Sequence, residues 1–94
     1  MSFNKETATN RAKKDLAERL KIAESEVETS SVSEQEFSDM SLGATVGDEW
    51  AAQMISNGWS INLNANGKSY EYRGDKYQLR LVDFKGANYM IESL

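Results

Sequence analysis

Cysteine, histidine and proline are all missing from this 94-residue chain. Without cysteine there are no disulfides, thiolate metal sites, iron–sulfur clusters or thiol nucleophiles, and a packed core must hold the fold alone. Without histidine the commonest neutral-pH general base, the commonest zinc ligand and the Ser-His-Asp arrangement go together. No run approaches the ~20 consecutive apolar residues of a membrane span. The start, Met1-Ser2-Phe3-Asn4-Lys5-Glu6, lacks the basic-then-apolar order of a secretory signal. A cytoplasmic address is therefore the default expectation, and the length suits one domain over residues 1–94.

Positive charge is missing from the whole middle of the chain. Residues 22–67 hold no Lys or Arg but eight acids, Glu24, Glu26, Glu28, Glu34, Glu36, Asp39, Asp48 and Glu49. Residues 1–21 carry six bases against three acids and residues 68–94 five against four, so +3, −8 and +1 give the net −4. An acidic middle argues against nucleic acid, whose phosphates need a basic surface, and against anionic membranes. A protein or peptide partner with a basic surface fits it better, because long-range attraction speeds encounter without demanding fixed geometry.

Among the residues that are present, Ala8, Ala12, Leu16 and Leu20 recur every fourth position and Ala17 joins them, the stripe of an amphipathic helix from about Lys5 to Lys21. Arg11 with Asp15, Lys14 with Glu18 and Asp15 with Arg19 offer opposite charges four apart on its solvated face. Residues 26–37 read as a strand, in which Val27 and Phe37 share a parity that Val32 breaks, so a bulge or kink is expected. Residues 38–56 read as an ordered loop with a short helical turn at 49–55. Trp59, Ile61, Leu63 and Ala65 alternate with polar residues up to Asn66-Gly67, the dipeptide of a two-residue hairpin turn. That turn sets Leu63 against Tyr70 and Ile61 against Tyr72. A second turn at Gly74-Asp75 would set Tyr72 against Tyr77 and Tyr70 against Leu79, placing Trp59, Tyr70, Tyr72 and Tyr77 in the core. The expectation is an α+β domain, one N-terminal helix on an antiparallel sheet of three to four strands, with residues 85–94 assigned to neither strand nor tail.

The order helix, strand, loop, strand, turn, strand resembles PepSY domains, small α+β modules of protease propeptides and bacterial envelope proteins. A closer likeness, over roughly residues 8–73, is to small bacterial domains of unassigned function. These carry an Ala-x-x-x-Leu-Ala-x-x-Leu helix, an Asp-x-Ser-Leu-Gly motif and a Gly-aromatic strand leading to Tyr-Glu-Tyr. Here those read Ala12 to Leu20, Asp39-Met40-Ser41-Leu42-Gly43, and Gly58-Trp59 through Tyr70-Glu71-Tyr72. That group usually has Cys-Pro after Ser-Leu-Gly and His after Tyr-Glu-Tyr, where this chain has Ala44-Thr45 and Arg73. The resemblance thus implies a fold and no metal or thiol chemistry.

No Ser-x-x-Lys, nucleophile elbow, phosphate loop or dinucleotide fingerprint is present, and the acids match no calcium loop. Catalytic residues, metal ligands and cofactors are accordingly not expected. Arg73-Gly74-Asp75, an adhesion tripeptide elsewhere, is ordinary turn chemistry here. Trp50 stands apart, in a polar loop outside any periodic pattern. The expected function is a non-catalytic protein- or peptide-binding module of regulatory or inhibitory kind, a monomer or weak dimer. Its expected contact residues are Asp39, Ser41, Leu42, Gly43, Asp48, Glu49 and Trp50, together with a sheet edge. The alternatives are a structural or self-associating domain and, behind it, a small carboxylate hydrolase.

Overall fold

In a computed structural model, which describes residues 2–94, one helix lies on a five-stranded antiparallel meander. The elements are α1 (Lys5–Leu20), a single 3-10 turn (Glu24–Glu26), β1 (Glu28–Phe37), β2 (Ser56–Ala65), β3 (Lys68–Gly74), β4 (Gln78–Phe84) and β5 (Ala87–Ser93). They neighbour one another in the order β1-β2-β3-β4-β5. The expected α+β architecture holds, with five strands in place of three to four. Residues 85–94 supply the extra one, because Lys85 and Gly86 both take positive φ, 54° and 85°, and fold β5 back along β4. Lys85 gives no turn signal of its own, which is why the sequence left this strand unassigned.

Both ends of α1 are closed by local chemistry. Asn4 and Thr7 form a reciprocal capping box, each side chain accepting the other's backbone N–H at 2.8 Å. At the other end Lys21 turns left-handed at φ 57° and Ile22 N–H donates to the Ala17 carbonyl at 3.0 Å. The buried face is mostly alanine, Ala8, Ala12 and Ala17 around Leu16. Such small side chains let the helix backbone approach the sheet closely, with the Ala8 methyl near Gly74. Opposite them lie Ile61, Leu63, Tyr72, Leu79 and Leu81, all fully buried.

The Asn66-Gly67 hairpin forms in the expected register, Leu63 with Tyr70 and Ile61 with Tyr72. The next one does not. Its reversal spans residues 75–77, Gly74 remains in β3, and Tyr72 pairs with Leu81 while Leu79 pairs with Gly74. The Asp75 carboxylate makes this turn by accepting the N–H groups of Tyr77 at 2.8 Å and Gln78 at 3.1 Å. The slip of four residues keeps the parity of β4, so Leu79 and Leu81 enter the core and Tyr77 is thrown out to 63% exposure.

The parity conflict in β1 is resolved by a bulge between Thr29 and Ser31. It returns Val32 to the helix-bearing face with Val27, and leaves Phe37 on the opposite face. Glu26 lies in the 3-10 turn, so β1 is shorter than expected. On α1 the charges are less solvated than expected. Asp15 accepts from the Tyr72 hydroxyl and from Arg19 Nε, each at 2.7 Å, and the Arg19 guanidinium lies 4.7 Å from the Tyr89 ring centre. Arg11 reaches Glu92 on β5 instead of Asp15.

Candidate functional site

The face of the sheet away from α1 presents polar side chains by strict alternation: Ser56 and Ser60 from β2, Glu71 and Arg73 from β3, Gln78 and Arg80 from β4. A sheet face of this kind normally meets water. Here the loop of residues 38–55 crosses it and is fastened by hydrogen bonds to charged groups.

Arg73 and Arg80 are direct cross-strand partners, so two guanidinium groups stand side by side under the loop. Like charges so placed repel, and each is answered separately. Arg73 donates from Nε to Glu71 at 2.8 Å and from Nη1 to the Leu42 carbonyl at 3.0 Å, with its guanidinium 5.8 Å from the Phe37 ring centre. Arg80, only 3% exposed, donates to Gln78, to the Ala44 carbonyl at 2.9 Å and through both Nη atoms to the Glu49 carboxylate. Gln78 Nε2 adds a bond to the Met40 carbonyl at 2.8 Å. The loop is thus held at Met40, Leu42, Ala44 and Glu49.

Asp39 shapes the loop to meet those donors. One carboxylate oxygen accepts from Ser41 Oγ at 2.7 Å, Ser41 N–H at 2.9 Å and Gly43 N–H at 3.1 Å. These bonds, the Ser41 hydroxyl foremost, hold the Asp39 carboxyl below its ordinary value of 3.8. Leu42 and Gly43 both turn left-handed, at φ 59° and 67°, and Ala44 N–H closes the turn on the Ser41 carbonyl at 3.0 Å. For leucine that backbone costs about 1–2 kcal/mol. Complete burial of its side chain, worth about 1.5–3 kcal/mol, offsets it. At Gly43 any side chain would also run into Arg73 Nη1, 2.9 Å from the Cβ position. Gly58 is needed for a different reason: a Cβ there would sit 2.1 Å from the Gly74 carbonyl oxygen.

The sequence-nominated residues therefore divide. Asp39, Ser41, Leu42 and Gly43 come together as one turn whose groups face the protein, with Ser41 and Leu42 buried. Glu49 is spent on Arg80, which keeps its carboxyl below the ordinary 4.5. Asp48 and Trp50 face solvent, Trp50 at 90% exposure. No helical turn forms at 49–55; the chain runs irregularly, pinned by Met40 N–H to the Ala52 carbonyl at 3.0 Å. Arg73-Gly74-Asp75 is not on display, since Arg73 is bonded to the loop and Asp75 is buried inside its own turn.

A family model described as a domain of unknown function, DUF8738, matches residues 9–82, well over half of the chain. The chain belongs to the DUF8738 family. No curated protein and no solved structure matches it. The matched span of the DUF8738 domain holds both arginines, the Asp39 turn and the exposed segment around Trp50, while β5 lies beyond it.

Sequence reading missed several members of this region. Of the seven large hydrophobic residues exposed among those described, Met40, Met54, Ile55, Tyr77 and Leu94 adjoin strand ends at one end of the sheet, and Trp50 belongs to the same loop as the first three. They come from the loop, the adjoining residues 75–77 and the end of the chain, where Leu94 N–H bonds the Tyr77 carbonyl at 2.8 Å. Only Trp50 was singled out in the sequence, because Met54 and Ile55 fall within the helical turn expected at 49–55. Arg80 gave one faint signal: it is a charged residue between Leu79 and Leu81 on a strand whose own residues on that face, Gln78 and Val82, supply no acid. No described helix is long and apolar enough to cross a membrane, and no three acidic side chains among the described residues gather as a metal-binding group.

Proposed function

We propose that this DUF8738 domain is a non-catalytic protein-binding module, with the apolar end of its sheet as the contact surface. The observation that carries this reading is Trp50 at 90% exposure, with Met54 at 62% and Ile55 at 65% on the same segment. Isolated exposed apolar residues need no explanation, but a group of them rimmed by polar residues is the usual mark of an interaction surface, and tryptophan is the residue most enriched at binding hot spots. These three stand on a segment held before Trp50 by the Arg80–Glu49 pair, within by the Met40–Ala52 bond, and after Ile55 by the start of β2. A held platform loses less entropy on binding than a free loop does.

Partner chemistry follows from the surroundings. Glu34, Glu36 and Asp48 lie near this end with Lys76 as the basic residue of the adjoining turn, so an apolar surface with a basic rim fits best. The PepSY-like order of elements points the same way, toward a module that acts by contact. The charged groups under the loop support a non-catalytic role: Arg73 and Arg80 are consumed by Glu71, Glu49 and loop carbonyls, and Asp39 by the Ser41 and Gly43 donors of its own turn.

Capture from native extract with the intact chain and with Trp50→Ala, Met54→Ala and Ile55→Ala combined tests this reading, with circular dichroism confirming that the variant stays folded. Specific partners retained by the intact chain are expected to be lost by the variant, and equal capture by both overturns the proposal. Sedimentation distinguishes the alternative of self-association: dimers that the same substitutions abolish would make a second copy the partner.

A further inference from the structure

We propose that the free edge of β1 is a strand-addition site for an extended basic peptide, and that the cleft beside it takes a lysine or arginine side chain of that peptide. This deepens the protein-binding reading and rests on it only in taking the chain to act by contact: the site shares Glu34, Glu36 and Lys76 with the rim of the apolar end but uses none of its exposed apolar side chains. β1 stands first in the sheet order, so its outer edge has no strand partner. Among the described residues no backbone hydrogen bond from a turn, loop or cap reaches residues 28–37 either. Every residue of β1 except Val32 and Phe37 is exposed. Beyond the bulge near Ser30 the pairing with β2 runs unbroken from Ser31 to Phe37, so the outer N–H and C=O groups form a regular row.

Natural sheets blunt such edges with proline, charged side chains, lysine above all, bulges, short length or a cover, and of these β1 has only acidic charge and a bulge confined to its first residues. Here the strand is 10 residues long and contains neither proline nor lysine. An extended chain laid along it gains main-chain hydrogen bonds whatever its sequence, and side-chain pockets select which chain is taken.

Selection here favours positive charge. Glu28, Glu34 and Glu36 line the strand, and Lys and Arg are absent from residues 22–67. A cleft of about 410 Å³ opens against Glu34, Glu36, Asn57, Trp59 and Lys76. The pairs Glu34 with Trp59 and Glu36 with Asn57 put these groups on the helix-bearing face. None of Glu34, Glu36 or Lys76 has an ion-pair partner among the described residues. Two carboxylates against one ammonium leave the cleft net negative. A residue of the added strand lies directly opposite Glu34 or Glu36, about 5 Å away between Cβ atoms. If it is lysine or arginine, its head reaches the carboxylates and the Trp59 ring, which attracts a cation. A second copy of β1 fits poorly, since each copy brings the same three carboxylates and no positive charge to the seam.

The test is an NMR titration of the full chain with a short peptide alternating lysine and threonine, its glutamate-for-lysine counterpart, and the lysine peptide N-methylated along one edge. Shifts confined to β1 and the Trp59 indole are expected with the lysine peptide alone. Glu34→Gln should weaken binding about fivefold, and Glu34→Lys with Glu36→Lys should turn the preference toward the glutamate peptide. A Trp50→Ala chain should bind the lysine peptide unchanged, which separates this site from the apolar end. No response in β1 at millimolar peptide, equal binding of the acidic or N-methylated peptide, dependence on Trp50, or pairing of β1 with a second copy in place of the peptide would each overturn the proposal.

Discussion

The two faces of the sheet are covered by opposite means. On one, α1 seals Ile61, Leu63, Tyr72, Leu79 and Leu81 with alanines and a leucine, and nearly all the contact is apolar. On the other, an irregular loop with only Ser41, Leu42 and Ala44 buried is fastened over two arginines. Apolar burial is additive and tolerant of small shifts, so the first face depends on how much surface is covered. Charge-assisted hydrogen bonds require every partner in place, so the second face depends on a few groups whose loss leaves others stranded. The helix side gives the domain its stability, and the loop side holds one segment in one position.

The comparison predicts a graded response. Tyr72→Ala should be the most damaging single change, about 4 kcal/mol in urea unfolding, because it empties the centre of the helix-side core. A loss below about 1 kcal/mol would mean that α1 is not the main seal. Arg80→Ala should cost about 3 kcal/mol by leaving the Glu49 carboxylate and the Ala44 carbonyl without their donor. Amide exchange should then rise in residues 39–49 while α1 stays protected. Joint exchange of loop and helix would show instead that the two faces unfold as one.

Removing the charges together sharpens the contrast. Arg80→Met combined with Glu49→Gln should recover much of the loss from Arg80→Ala, since methionine refills the buried Arg80 volume and no carboxylate is left without its counter-charge. Acid should act on the loop side first. Asp39 and Glu49 both sit below their ordinary values of 3.8 and 4.5, so the native state favours their charged forms. Their contribution is fully present above those values and is lost as pH falls through them toward the lowered native ones. Glu49→Gln should flatten that acid limb in pH-dependent unfolding. Trp50→Ala completes the series with the smallest effect on stability, within about 0.5 kcal/mol, because the side chain touches solvent and not the core.

How much of this was legible follows from which forces leave a periodic trace. The stripe Ala8, Ala12, Leu16 and the alternation from Trp59 to Ala65 marked the helix, the first hairpin and its register, since each repeats at the period of its element. The second hairpin slipped by four residues because Asp75, not Gly74, makes the turn, and parity alone accepts either register. Tyr77 was lost from the core for that reason alone. The Asp39 motif was visible as a motif, but its role was not: whether a buried turn or an exposed loop presents Ser41 and Leu42 depends on Arg73 and Arg80, more than 30 residues away.

By itself, then, the sequence determined the helix, the Asn66-Gly67 hairpin, the apolar face and the acidic middle, all set by neighbours in the chain or by a repeat of two or four. Only the tertiary structure decided that β5 completes the sheet, that paired arginines clamp the Asp39 loop, and that Trp50, Met54 and Ile55 are left outside. Those outcomes rest on partners distant in sequence, and a chain read one neighbourhood at a time holds no record of which distant carbonyl a guanidinium will meet.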